Sequence, residues 1–175
     1  MNLKIHLLAN KTNLEIHYGF HKTEFGLCLI GLIDQDICHL SFHDNENQGL
    51  LELQKEWPQA QLIPEQDKIA KNIKAIFKNN GDKFSVALKG TPFQIEVWQQ
   101  LIKIPAGSTV SYQEIAQALG KPTATRAVAS AIAKNNISYL IPCHRVIRKS
   151  GKINNYRWGI QCKKSLLAAE RAELA

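Results

Sequence analysis

Apolar and polar residues alternate at different periods in the two halves of this chain. Before residue 90 the apolar residues come in short, partly alternating runs. Residues 14–21, 24–33 and 36–42 read as three strands. The links His21-Lys22-Thr23 and Asp34-Gln35 are short turns, so these strands predict an antiparallel meander. Residues 47–57 carry Leu50, Leu51, Leu53 and Trp57 in a helix closed by Pro58, and residues 60–63 add a strand. Residues 65–79 place Ile69, Ile73, Ile76 and Phe77 at helical spacing and stop at Asn79-Asn80-Gly81.

From Gly90 onwards the period is that of helices. Thr91-Pro92-Phe93-Gln94 combines a cap residue, a proline at the first helical position and a capping-box glutamine. Phe93, Val97 and Leu101 then face a core, and the helix ends by Pro105-Ala106-Gly107. Ser111-Tyr112-Gln113-Glu114 is a second capping box, opening a helix with Ile115, Ala118 and Leu119 inward. After Gly120-Lys121-Pro122 a helix over 123–134 buries Val128 and Ile132, and a last helix covers 161–173. Two short helices about a glycine-containing turn carry the helix-turn-helix signature. The fold class expected is α+β, with a small N-terminal antiparallel sheet with helices over 1–89. A mostly helical domain with a helix-turn-helix follows over 90–175. The second helix of that pair has alanine at 124, 127, 129, 131 and 133 and a single arginine, Arg126. Such a face suits close approach to a surface; it equally suits tight packing between helices.

Charge sharpens the division. Residues 1–89 hold 10 Lys, no Arg and 11 acidic residues, a net −1, whereas residues 90–175 hold 7 Lys, 5 Arg and 4 acidic residues, a net +8. A positive charge confined to one half suggests a polyanion-binding face, a solvated basic surface being the alternative. With 45% apolar and 21% charged residues the composition is that of a soluble globular protein. The apolar run 5–9 is too short for a signal peptide, and no segment approaches the roughly 20 apolar residues of a membrane span. A cytoplasmic chain with reduced cysteines is expected.

The candidate chemistry lies at Cys143. Residues 139–141 read as an apolar strand running into Pro142, and Cys143 then enters a cluster of His144, Arg145 and Arg148. Cationic and proton-accepting neighbours lower a thiol's pKa and favour the nucleophilic thiolate. Glu170 shares a helical face with Leu166 and Leu167, so it needs a partner, for which His144 is the candidate, or turns to solvent. Cys28, Cys38, His39 and His43 match no close-pair zinc spacing and read as core cysteines and surface histidines; no metal is expected.

From about residue 91 to 170 the chain resembles the O6-alkylguanine-DNA alkyltransferases, or methylated-DNA–protein-cysteine S-methyltransferases, of the Ogt and Ada C-terminal type. The matching words include Gly90-Thr-Pro-Phe-Gln94, Val110-Ser-Tyr-Gln-Glu-Ile-Ala116, Arg126-Ala-Val-Ala-Ser-Ala131, Ile141-Pro-Cys-His-Arg-Val-Ile147 and Tyr156-Arg-Trp-Gly159. The resemblance implies a ribonuclease-H-like N-terminal subdomain and direct, single-turnover repair of O6-alkylguanine, and of O4-alkylthymine, in double-stranded DNA. It assigns Cys143 as alkyl acceptor, His144 as proton relay and Glu170 as the carboxylate orienting it. Asn135 supports the loop before the nucleophile, and Tyr112 assists the departing guanine. Val146, Arg157, Trp158 and Lys163 belong to the substrate pocket. Arg126 fills the gap left by a flipped nucleotide, with Gln113, Thr125 and Ala127 also on the DNA face, in the minor groove. No cofactor and no membrane partner is implied, and a monomer is expected. Trp158 stands where some members carry glycine, which implies a pocket that handles methyl better than benzyl. The N-terminal zinc ligands of some members have no matching cluster. Two other readings remain: a lesion binder that transfers nothing, which would lack the acceptor cysteine, and a cysteine hydrolase, which would turn over.

Overall fold

Strands and helices divide between two compact units, Met1–Lys89 and Gly90–Ala175, in a computed structural model that describes residues 2–8, 13–78, 82–153 and 155–174. The first unit is a six-stranded mixed sheet with two helices, built in the order β1 (Asn2–Leu7), β2 (Glu15–Thr23), β3 (Gly26–Ile33), β4 (Asp36–His43), α1 (Glu46–Glu56), β5 (Gln61–Pro64), α2 (Gln66–Lys78) and β6 (Lys83–Leu88). The spatial order is β1-β6-β4-β3-β2-β5.

The meander β2–β3–β4 is antiparallel, as short links require, but the sheet as a whole is not. β5 joins β2, and β6 joins β4 and β1, in parallel. The helices α1 and α2 carry the chain back between those strands, and a crossover of that kind yields parallel neighbours. The helix stop expected at Asn79-Asn80-Gly81 lies outside the described residues.

Burial follows the pattern for Ile69, Ile73 and Ile76 of α2. Gly19 lets that helix approach the sheet: a Cβ there would lie 2.9 Å from the Ile69 Cβ. Cys28 and Cys38 are core residues, but His39, expected at the surface, is fully buried. The register of β3 against β4 shifts between Gly31 and Leu32, which skips Cys38. β4 lies inside the sheet and is buried at every position from Ile37 to Phe42, so His39 is enclosed on whichever face it points, with Glu52 of α1 beside it.

The second unit contains α3 (Pro92–Ile102), β7 (Val110–Ser111), α4 (Tyr112–Ala118), α5 (Thr125–Ala133), a 3-10 turn (Cys143–Arg145), β8 (Val146–Ile147) and α6 (Ile160–Leu174). Both capping boxes form, at Thr91 with Gln94 and at Ser111 with Glu114. Val97, Trp98 and Leu101 are buried, and the Trp98 indole N–H donates to the Ala131 carbonyl at 2.9 Å. Phe93 is only half-buried, beneath the Lys121 ammonium. On α4 the buried pair is Ile115 and Ala116, and Ala118 is exposed. A face centred between 115 and 116 leaves 118 about 110° round the helix. Among the described residues, no helix is long and apolar enough to cross a membrane.

Candidate active site around Cys143

The strand expected over 139–141 is a turn. Tyr139 adopts φ 64°, and the amides of Ile141 and Cys143 bond back to the carbonyls of Ile137 and Ile141. Asn135, 1% exposed, ties this turn together. Its Oδ1 accepts from the Ile137 amide at 3.0 Å, and its Nδ2 donates to the Ile141 carbonyl at 3.0 Å and to Cys143 Sγ at 3.2 Å.

Cys143 is 5% exposed. Its thiol reaches the Tyr156 hydroxyl at 3.8 Å, and that hydroxyl lies 2.6 Å from Ser138 Oγ. The flanking cations were expected to lower the thiol's pKa; instead burial raises it. The Asn135 N–H, the Tyr156 hydroxyl and the Lys163 charge oppose that rise only in part. Burial also lifts the Tyr156 phenol well above its usual range, as does the charge of Cys143.

Arg145 does not serve the sulfur. Its guanidinium grips Glu170, with Nε at 3.0 and 3.1 Å from the two carboxylate oxygens and Nη2 at 2.7 Å, while Nη1 donates to the Ile104 carbonyl. The Gly107 amide adds a bond to Oε2 at 3.1 Å, and His144 Nε2 lies 2.7 Å from Oε1. Burial alone would raise the Glu170 pKa, but these donors hold it down to about 2. An ionised carboxylate only accepts, so Nε2 of His144 carries the proton. Nδ1, buried and without a hydrogen-bond partner, keeps an open lone pair. Burial lowers the His144 pKa against the pull of Glu170, which favours that neutral form.

A cavity of about 340 Å³ opens over Cys143, lined by Tyr112, Asn135, Tyr156, Arg157, Trp158 and Lys163, with Ala129, Ile132 and Ala133 of α5 on one side. Trp158 packs edge-on to Tyr156 at 5.3 Å, and Arg157 lies 5.5 Å from the Trp158 ring while donating to the Asn135 carbonyl. Lys163 is 1% exposed and donates to the Val146 carbonyl at 2.6 Å. Burial lowers its pKa to about 8. Val146 itself is fully buried, so it supplies this site with its carbonyl. The structure therefore brings Cys143, Asn135, Tyr112, Arg157, Trp158 and Lys163 to one cavity and joins His144 to Glu170 just behind it.

Tyr112 is aligned by backbone: β7 and β8 pair in parallel, Val110 opposite Val146 and Ser111 opposite Ile147. Arg126 and Ala127 are exposed, Thr125 and Gln113 half-buried, and Gln113 Oε1 accepts from Lys149 at 3.4 Å. Tyr156 and Ser138 were not singled out from the sequence. Tyr156 stood inside a matched motif, but Ser138 gave no signal of its own.

Residues 92–172 match the model of the 6-O-methylguanine DNA methyltransferase, DNA binding domain. The chain is 34% identical over 161 residues to a methylated-DNA–protein-cysteine methyltransferase of Methanosarcina barkeri, covering 91% of this chain and 99% of that one. It is 38% identical over 163 residues to the bifunctional transcriptional activator/DNA repair enzyme Ada of Escherichia coli, covering 90% of this chain and 46% of the relative. The chain thus spans about half the length of that relative. Among solved structures it resembles the Mycobacterium tuberculosis OGT in complex with DNA, with a TM-score of 0.73 and 29% identity over 89% of this chain and 93% of that one.

Proposed function

Because the chain belongs to the methylated-DNA–protein-cysteine methyltransferase family, we propose that it repairs duplex DNA by moving the alkyl group of O6-alkylguanine, and of O4-alkylthymine, onto Cys143. The observation that carries this reading is one sulfur at the floor of a cavity, facing an amide donor, with an ionised Glu170 fixing the His144 tautomer behind it. The unit over 90–175 is the DNA-binding and acceptor domain, with α4 and α5 as its helix-turn-helix. The unit over 1–89 is a ribonuclease-H-like subdomain. The protein works in the cytoplasm, on the nucleoid, as a monomer and without a cofactor.

A base inside a duplex is out of reach of a buried thiol, so the alkylated nucleotide is flipped into the cavity; a damaged pair costs least to open. Exposed Arg126 fills the vacated place, and the exposed lysines and arginines of this half bind phosphates without regard to sequence. Thr125, Ala127 and Gln113 lie on the same DNA face, in the minor groove. The thiol proton passes through a bridging water to His144, whose open Nδ1 receives it. Asn135 and the Lys163 ammonium favour the thiolate, which attacks the alkyl carbon as the carbon–O6 bond breaks. Tyr112 supplies a proton to the leaving guanine. Trp158 and Arg157 wall the pocket. The product is a thioether with no carbonyl for water to attack, so each molecule acts once.

The test is incubation with duplex carrying radiolabelled O6-methylguanine. Label moves to the protein, at most one equivalent, and Cys143→Ala abolishes the transfer. Label released as a small molecule would indicate hydrolysis, and tight binding without transfer a lesion binder; either result refutes the proposal.

A further inference from the structure

Beneath α1, in the first unit, four polar side chains converge that the reaction at Cys143 does not use. His39, Ser41 and His43 stand two residues apart on β4 and so share one face of the sheet. Both imidazole Nε2 atoms reach the Ser41 hydroxyl, at 2.9 and 2.7 Å. From α1, Glu52 brings a carboxylate oxygen to 3.8 Å from His39 Nε2. The ligand atoms of His39, His43 and Glu52 all lie within 4.8 Å of one another. His39 and Ser41 are fully buried, whereas His43 and Glu52 are partly exposed, so the cluster has an opening to solvent on one side. Gly49 makes the close approach of α1 possible: a Cβ there would lie 2.7 Å from the Phe20 ring and 3.0 Å from the His43 ring.

We propose that His39, His43 and Glu52 form a binding site for a divalent transition-metal ion, zinc in particular, which clips α1 to β4. Two neutral imidazoles and one carboxylate are a donor set that zinc accepts, with a fourth position left for the Ser41 hydroxyl or water. Magnesium and calcium prefer all-oxygen shells, which this cluster does not offer. Metal–ligand bonds of about 2.0–2.2 Å put tetrahedral donors roughly 3.3–3.5 Å apart, so the present spread closes by side-chain rotation of about an ångström. The glutamate completes the argument: a helix residue converging on two strand histidines supplies the third ligand and the charge that a hydroxyl alone would not. The spacing rule that argued against a metal fails here because it looks for close pairs in sequence, while this set joins alternate strand positions to a helix. The site is independent of the reading of Cys143.

The rival use of these atoms is a hydrogen-bonded chain through Ser41, which binds no ion. Zinc affinity is measured by competition with a chromophoric chelator, in Cys143→Ser protein so that the acceptor thiol cannot take the metal. The expected result is one equivalent bound, weakened at least tenfold by His43→Ala and by Glu52→Gln. Both positions are partly exposed, and circular dichroism checks that each variant is folded. Cobalt in place of zinc should give the visible bands of a four-coordinate ion without a sulfur-to-metal charge-transfer band. Failure to compete with the chelator, binding that survives both substitutions, or a sulfur charge-transfer band would each overturn the proposal.

Discussion

Cys38 and Cys143 are both enclosed, and burial pushes both thiols up, yet they face opposite kinds of neighbour. Cys38 sits in an apolar cluster with Leu29, Leu53 and Trp57 and gives its S–H to the Gly31 carbonyl at 3.3 Å. An acceptor there keeps the proton on sulfur. Cys143 receives an N–H from Asn135 and lies in the field of the Lys163 ammonium, and both favour a sulfur that has lost its proton. Exposure does not separate a packing cysteine from a reactive one; the direction of the neighbouring hydrogen does.

The sharpest test of that contrast removes each sulfur. Cys143→Ala should abolish alkyl transfer outright, while Cys38→Ala keeps it at a cost of about 1 kcal/mol in stability for a small cavity. Intact-mass spectrometry after incubation with alkylated duplex reads the first effect and urea denaturation the second. Next in size, His144→Gln should slow single-turnover transfer by about a hundredfold or more, since it removes the proton acceptor. An unchanged quench-flow rate would dismiss His144 from the relay.

Acid should expose the same carboxylate thermodynamically. Glu170 has its folded pKa held at about 2 against an ordinary 4.5. Its stabilisation is therefore complete above pH 4.5 and is lost as the pH falls through 2, up to about 3 kcal/mol. Denaturant midpoints for the wild type and Glu170→Gln across that window should diverge with rising pH. Asn135→Ala comes next, at about 2 kcal/mol, because the Ile137 amide and Ile141 carbonyl lose their partner. The same variant should raise the Cys143 pKa further, visible in thiolate absorbance against pH, where a Cys38 variant of equal volume change moves nothing. The smallest effect expected is at Trp158: replacement by glycine should speed inactivation by benzylguanine several-fold, about 1 kcal/mol, and parallel curves for the two proteins would remove Trp158 from the specificity wall.

Local chemistry was readable in advance and long-range pairing was not. Thr91 with Gln94, and Ser111 with Glu114, announce their helices because a cap is written within four residues. β1 and β6 left no comparable sign: each runs six residues, and their parallel pairing joins Asn2 to Lys83 across most of a unit. The burial of His39 escapes the sequence for a similar reason, since a strand placed inside the sheet and covered on both faces encloses its polar residues with its apolar ones. At the site, the motif around Cys143 was legible as chemistry, and Glu170 as a carboxylate in need of a partner. That Arg145 turns to this carboxylate and leaves the sulfur alone depends on the 3-10 turn, which no spacing of apolar residues encodes.

The two-rung ladder between Val110-Ser111 and Val146-Ile147 has a consequence for how the protein tolerates change. Ser111 precedes Tyr112 directly, and Val146 follows the turn that holds Cys143, so main-chain atoms set the span between phenol and sulfur. Conservative side-chain replacements at Val110 and Ile147, both only partly buried, are thus expected to leave that span intact. A single residue inserted between Val146 and Ile147 should shift the frame by one rung and change the span between phenol and sulfur.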